Sequence, residues 1–161
     1  MPFTGQAEAN IDAKQRLAIP AKFRNRWDPQ TEGNTWFCIP WPQTNSLRLY
    51  TQKMHNELFT AGRRDPSLTP NEDQAELDVI LHGVTEEVDI DANNRIRLPK
   101  WQVEALGLPR EVIVLGAGDR LEIRARDAWK NEFNERLNKM SELASKLAKR
   151  TPPAQHETRA P

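Results

Sequence analysis

The chain has 161 residues, 37% of them hydrophobic and 29% charged, with 23 basic residues against 23 acidic ones. That length suits one ordinary domain or two small units packed together. A formal charge of zero removes net charge as an argument for a nucleic-acid partner, and no apolar run approaches the ~20 residues that span a bilayer.

In chain order, the first feature is "IDAKQRLAIPAKFR", from Ile11 to Arg24. It reads as the end of a strand, a turn at Ala13, Lys14 and Gln15, and a second strand that alternates until Pro20 closes it. Leu17 and Ile19 fall on one face of that strand, Arg16 and Ala18 on the other. The "AKFRNRW" that follows looks helical. Lys14, Arg16, Lys22, Arg24 and Arg26 make this a basic stretch. Two strands come next, "TWFCIPW" and "SLRLYT", joined by "PQTN", and a helix from about Gln52 to Ala61 ends this half. The lone Cys38 has no partner for a disulfide within the chain and is expected to be buried as a small apolar residue.

"RRDPSLTPNEDQ" reads as a linker, rich in turn formers and charge. From Glu72 to Asp91 there are eight acidic residues and no Lys or Arg. Then the opening pattern returns as "IDANNRIRLPKWQV", Ile90 to Val103, with Asp91, Arg95 and Pro99 in the places of Asp12, Arg16 and Pro20. Ile96 and Leu98 are the inward candidates here, Arg95 and Arg97 the outward ones. "KWQVEALGL" looks helical and is stopped by Gly107 and Pro109. "EVIVLG" and "RLEIRA" flank Ala117, Gly118 and Asp119, a hairpin signal.

The last helix runs from about Asp127, read as its N-cap, to about Lys149. Trp129, Phe133, Leu137, Met140, Ala144 and Leu147 form one apolar stripe on it. Its later part exceeds what a small barrel needs for cover, so it is expected to pack on a neighbouring subunit. "TPPAQHETRAP" has no periodicity and is expected to be a disordered tail.

A single Asp-x-x-x-Arg carries no information, but two copies with apolar residues and proline in register are hard to obtain by chance. A unit of four short strands cannot bury both its faces alone, whereas two packed together can. Chemistry of other kinds has little support. His55, His82 and His156 are scattered, and "GAGDRL" lacks the third glycine of a dinucleotide loop and reads as a hairpin turn. No catalytic residue, metal, cofactor or small-molecule substrate is expected. For the first turn two readings stand. Lys14, Gln15 and Arg16 could project to phosphates and base edges. Alternatively Arg16 pairs with Asp12 inside the turn, Asp12 accepts backbone N–H groups, and there is no ligand.

"DAKQRLAIPAKFR", its second copy and "VLGAGDRLEIRARDAW" together resemble the MraZ family of bacterial transcriptional regulators, over roughly Phe3 to Phe133. The resemblance implies an α+β fold of two tandem AbrB-type swapped-hairpin repeats forming a β-barrel with covering helices. Residues 3–62 would be the first repeat, 63–81 a linker and helix, 82–150 the second repeat with its C-terminal helix, and 151–161 the tail. It also implies a cytoplasmic, nucleoid-associated homo-oligomeric ring without membrane attachment. Such rings bind short direct repeats in promoter DNA upstream of the division and cell-wall gene cluster, usually as repressors. Carried over by position, Lys14 and Arg16 would be the main DNA-contacting pair, joined by Gln15, Asn93 and Arg95, while Asp12 and Asp91 shape the turns. Where the family usually has glycine before the motif arginine, this chain has Gln15 and Asn94. Asn tolerates a left-handed backbone; Gln does so at a cost of roughly 1–2 kcal/mol. The alternative is a ring-forming assembly protein that has lost operator recognition.

Overall fold

Strand alternation and turn residues place most elements where the sequence puts them. The computed structural model describes residues 2–62, 68 and 71–150. In order, the elements are β1 (Gln6–Asn10), β2 (Arg16–Ala18), α1 (Ala21–Arg24), α2 (Pro29–Glu32), β3 (Thr35–Trp41), β4 (Ser46–Thr51), α3 (Gln52–Gly62) and α4 (Glu72–Val84). They continue with β5 (Glu86–Asp89), β6 (Arg95–Arg97), α5 (Lys100–Leu106), β7 (Glu111–Gly116), β8 (Leu121–Ala125) and α6 (Arg126–Arg150). The chain divides into two units, Met1–Asp127 and the remainder from Ala128.

In the first unit, six antiparallel strands form one sheet in the order β1-β7-β8-β4-β3-β5, and β2 pairs only with β6. The pairings cross between the repeats: β1 of the first half lies on β7 of the second, and β5 of the second lies on β3 of the first. The sheet is open, with β1 and β5 as its edges. That corrects the expected barrel: the β2–β6 ribbon forms a separate sheet and is not laddered to either edge of the larger one. The Asp12 and Asp91 carboxylates take the N–H groups of Arg16 and Arg95. Beyond each turn only isolated contacts tie the strands, Asp12 N–H to the Arg16 carbonyl at 3.0 Å and a single bridge between Ile90 and Ile96.

The core lies between this sheet and the β2–β6 ribbon. Leu17, Ile19, Ile96 and Leu98 join one cluster with Cys38, Leu47, Leu49, Val112, Val114, Leu121 and Ile123 of the sheet. Leu17 and Ile96 are fully buried, worth roughly 1.5–3 kcal/mol each. Phe3, Phe23, Trp27 and Trp36 close one end, with Trp27 and Trp36 rings 5.4 Å apart. Gly116 has to be glycine for packing reasons, because a Cβ there would sit 2.5 Å from the backbone nitrogen of Thr4.

Several boundaries shift. Asn71 caps α4 by accepting from Gln74 N–H at 2.7 Å, and Glu72 and Asp73 in the first turn suit the positive end of the helix dipole. The last three residues assigned to the linker are therefore helical. The helix also passes Leu81 and His82, across the boundary expected between linker and second repeat. "AKFRNRW" is helical only as far as Arg24. The one-turn α2, capped by Asp28, was not expected. Asp127 lies inside α6 rather than capping it. The proposed tail, 151–161, lies outside the described residues, as does His156.

The second unit is the rest of α6. Pairs four residues apart, Glu132–Arg136, Glu135–Lys139 and Glu142–Lys146, run along it. Of its apolar stripe, Leu137, Met140 and Leu147 are at least half exposed, as is Leu143 beside them.

Candidate nucleic-acid interface

The two turns are built alike, atom for atom. Asp12 Oδ1 accepts from the N–H groups of Lys14 at 2.9 Å and Arg16 at 2.8 Å, and Oδ2 accepts from Arg16 Nε at 2.7 Å. Asp91 Oδ1 accepts from the N–H groups of Asn93 at 2.8 Å and Arg95 at 2.9 Å, and Oδ2 from Arg95 Nε at 3.2 Å. The Arg16 N–H, the largest influence, holds the Asp12 carboxyl below its ordinary 3.8, and the Arg95 N–H does the same for Asp91. An aspartate at the first position is needed because one carboxylate must reach two backbone donors and a guanidinium; a serine or asparagine supplies fewer acceptors.

Gln15 and Asn94 adopt left-handed backbones, with φ of 64° and 59°. Their carbonyls do specific work across the repeats. Leu98 N–H donates to Gln15 O at 2.8 Å, and Ile19 N–H donates to Asn94 O at 3.0 Å. Each turn thus caps the other repeat's strand. The Gln15 side-chain oxygen is buried without a hydrogen-bond partner.

The two turns are joined by the β2–β6 ribbon, with Arg16 opposite Arg97, Leu17 opposite Ile96 and Ala18 opposite Arg95. Because Leu17 and Ile96 face the core, Arg16, Ala18, Arg95 and Arg97 share the other face. The turns stand at opposite ends, about 10 Å apart along three residues of strand. Lys14 and Asn93 are exposed in them, and Arg16 and Arg95 are half-buried. All the sequence candidates are therefore brought to one ribbon, except that Gln15 serves it through its backbone.

Two other cations of the basic stretch bind the chain's own backbone. Lys22 Nζ donates to the Gln6 carbonyl at 2.9 Å, and Arg24 Nε to the Ile19 carbonyl at 2.9 Å, so both are occupied with the chain's own backbone. Arg97 was an outward candidate by alternation but was not placed at the site; only strand register brings it beside the first turn. Gln102 was missed altogether. It is fully buried in α5, and its Nε2 donates to the carbonyls of Cys38 at 3.1 Å and Val84 at 2.8 Å, tying α5 to β3 and the end of α4. No periodicity signals a lone buried polar residue of this kind.

Burial pushes the Cys38 thiol well up. Burial lowers His55, whose ring stacks on Phe37 at 3.9 Å. Ala117–Arg120 closes the β7–β8 hairpin, as "GAGDRL" suggested. Among the described residues no group of three or more His, Cys, Asp or Glu could hold a metal, and no helix is long and apolar enough to cross a membrane.

Residues 81–151 match a family sequence model described as "MraZ protein, putative antitoxin-like". Proteins named "Transcriptional regulator MraZ" align along most of the chain. That of Paenarthrobacter aurescens is 31% identical over 140 residues, covering 87% of this chain and 92% of its own. That of Ligilactobacillus salivarius is 30% identical, covering 90% and 96%. That of Mesoplasma florum is 28% identical, covering 91% and 96%. Identity of this order over nearly the full length of both chains, together with twin Asp-x-x-x-Arg turns built to one plan, means that the chain belongs to the MraZ family.

Proposed function

We propose that the chain is a DNA-binding transcriptional regulator whose β2–β6 ribbon and flanking turns meet the duplex. The observation that carries this is the ribbon's solvent face. It bears Arg16, Arg95 and Arg97, with Lys14 in the adjoining turn; the turn carboxylates Asp12 and Asp91 are paired with the motif arginines, and Glu86, Glu87 and Asp89 lie beside the first turn. The major groove of B-DNA, about 12 Å wide, admits a two-stranded ribbon. Ion pairing to the turn aspartates fixes the Arg16 and Arg95 side chains in place and lowers the entropy lost on binding. The names of the relatives support the regulatory role. Lys14, Arg16, Asn93 and Arg95 are the proposed contacts, with Asp12 and Asp91 shaping the turns.

In this reading the protein is a repressor, cytoplasmic and nucleoid-associated, of short direct repeats upstream of the division and cell-wall gene cluster. It acts as a head-to-tail homo-oligomeric ring and not as an enzyme. The strand exchanges β1–β7 and β3–β5 support two swapped-hairpin repeats as its scaffold, residues 3–62 and 82–150.

A gel-shift series on the DNA upstream of the chain's own gene tests it. Wild type should shift fragments holding several repeats, and Arg16→Ala should lose the shift while keeping oligomer size. A second reading, an assembly protein without operator recognition, draws on one observation: both motif arginines are already paired with their turn aspartates. Equal shifts by wild type and Arg16→Ala, or none at low salt, would decide for that reading.

A further inference from the structure

We propose that Arg97, a residue of the second repeat, is a DNA-contacting residue of the first turn, placed there by strand register. This rests on the DNA-binding reading above. Register is the first argument. Antiparallel pairing sets Arg97 directly opposite Arg16 and sets Ala18 opposite Arg95, all on the face turned from the core. The offset between the repeats makes Ala18 the counterpart of Arg97, so the other end has no such cation.

Charge is the second argument. Arg16 and Arg95 each commit Nε to a turn carboxylate, and these pairs orient guanidinium groups without adding net charge. The side chains of Lys14 and Arg97 make no ion pair or hydrogen bond among the described residues. Both line the same cleft beside the first turn, one contributed by each repeat. Glu86, Glu87 and Asp89 of β5 line that cleft as well. These carboxylates face Lys14, Arg97 and Lys100 across the cleft, so the contact is assigned to the ribbon's outer face, where Arg97 stands opposite Arg16. A phosphate held there releases counterions to an extent set by Lys14 and Arg97, whereas Arg16 and Arg95 supply orientation.

The test is the salt dependence of binding by the full chain to a mixed-sequence double-stranded oligonucleotide, followed by fluorescence anisotropy. Arg97→Ala should lower the slope of log K against log[salt] by about 1 for each subunit in contact with the duplex. Ala18→Arg, which gives the other end the missing cation, should raise it by about 1 per contacting subunit. Lys53→Ala, on α3, should leave the slope at its wild-type value. Wild-type binding with an unchanged slope in Arg97→Ala overturns the assignment and leaves DNA binding standing. Absence of wild-type binding even at low salt removes the DNA reading, and this assignment with it. Should Arg97→Ala unfold the chain by circular dichroism, Ala18→Arg decides alone, and an unchanged slope there overturns the assignment.

Discussion

Gln15 and Asn94 occupy equivalent left-handed positions, yet the two side chains differ in how they tolerate them. Asn reaches that region through local hydrogen bonding, while Gln has no such relief and costs roughly 1–2 kcal/mol. Gln15 also leaves its side-chain oxygen buried and unpartnered. Gln15→Gly removes both penalties and loses about 0.4–1 kcal/mol through a freer unfolded chain. It should therefore stabilise by about 0.5–1 kcal/mol. Asn94→Gly should fall within about 0.5 kcal/mol of neutral. Denaturant midpoints of the two variants check this; a destabilised Gln15→Gly would show that the side chain contributes packing that outweighs the strain. The turn carboxylates make a pH prediction. Both are lowered in the folded chain, so their contribution is fully present above the ordinary 3.8 and is lost as pH falls through the folded values. Asp12→Asn should melt lower than wild type at neutral pH, and the gap should close in acid. A gap that stays constant with pH would mean that the charge on Asp12 does not support the turn.

Among the elements, α5 shows how the repeats differ despite their shared opening. Its counterpart α1 has four residues, whereas α5 has seven and is anchored by Gln102 to carbonyls of two other elements. Gln102→Met keeps the volume and removes both donated bonds, but it also removes the buried, unpartnered Oε1, so the net loss should be about 1 kcal/mol. Urea titration should show that loss with an unchanged m-value. A midpoint equal to wild type would mean that water reaches Val84 and Cys38. The β8 strand holds a buried charge, Glu122. Burial alone would raise the Glu122 carboxyl, but Arg124 and Arg120 hold it below its ordinary value. Its ion pairs, 2.8 Å to each arginine, run along β8 and the turn that precedes it.

For the whole molecule, the exposed stripe on α6 and the modest core argue for association. Head-to-tail contacts close into a ring when the rotation allows. Light scattering should return a homo-oligomer mass at micromolar concentration, and Met140→Glu combined with Leu147→Glu should reduce it without lowering the melting midpoint of the sheet. A monomer mass for wild type would overturn the ring. In the proposed ring, assembly also sets DNA affinity. One ribbon supplies few contacts, but several ribbons on matched repeats turn later contacts into intramolecular ones, raising avidity by roughly 10²–10⁴. The dissociated variant should therefore lose binding to repeated sites even with every ribbon residue intact.

The sequence alone determined the repeat, its inward and outward faces, and the bounds of β3, β4 and β7, because alternation and turn residues act within a few neighbours. It also marked the two aspartate-capped turns, since Asp-x-x-x-Arg closes on itself locally. Only the tertiary structure decided that the sheet stays open, that each turn caps the other repeat's strand, and that Arg97 stands beside Arg16. Those facts depend on antiparallel register between segments seventy-nine residues apart. Register follows from burying Leu17 and Ile96 against a common core, and a shift of β6 by one residue would turn Arg95 and Arg97 inward.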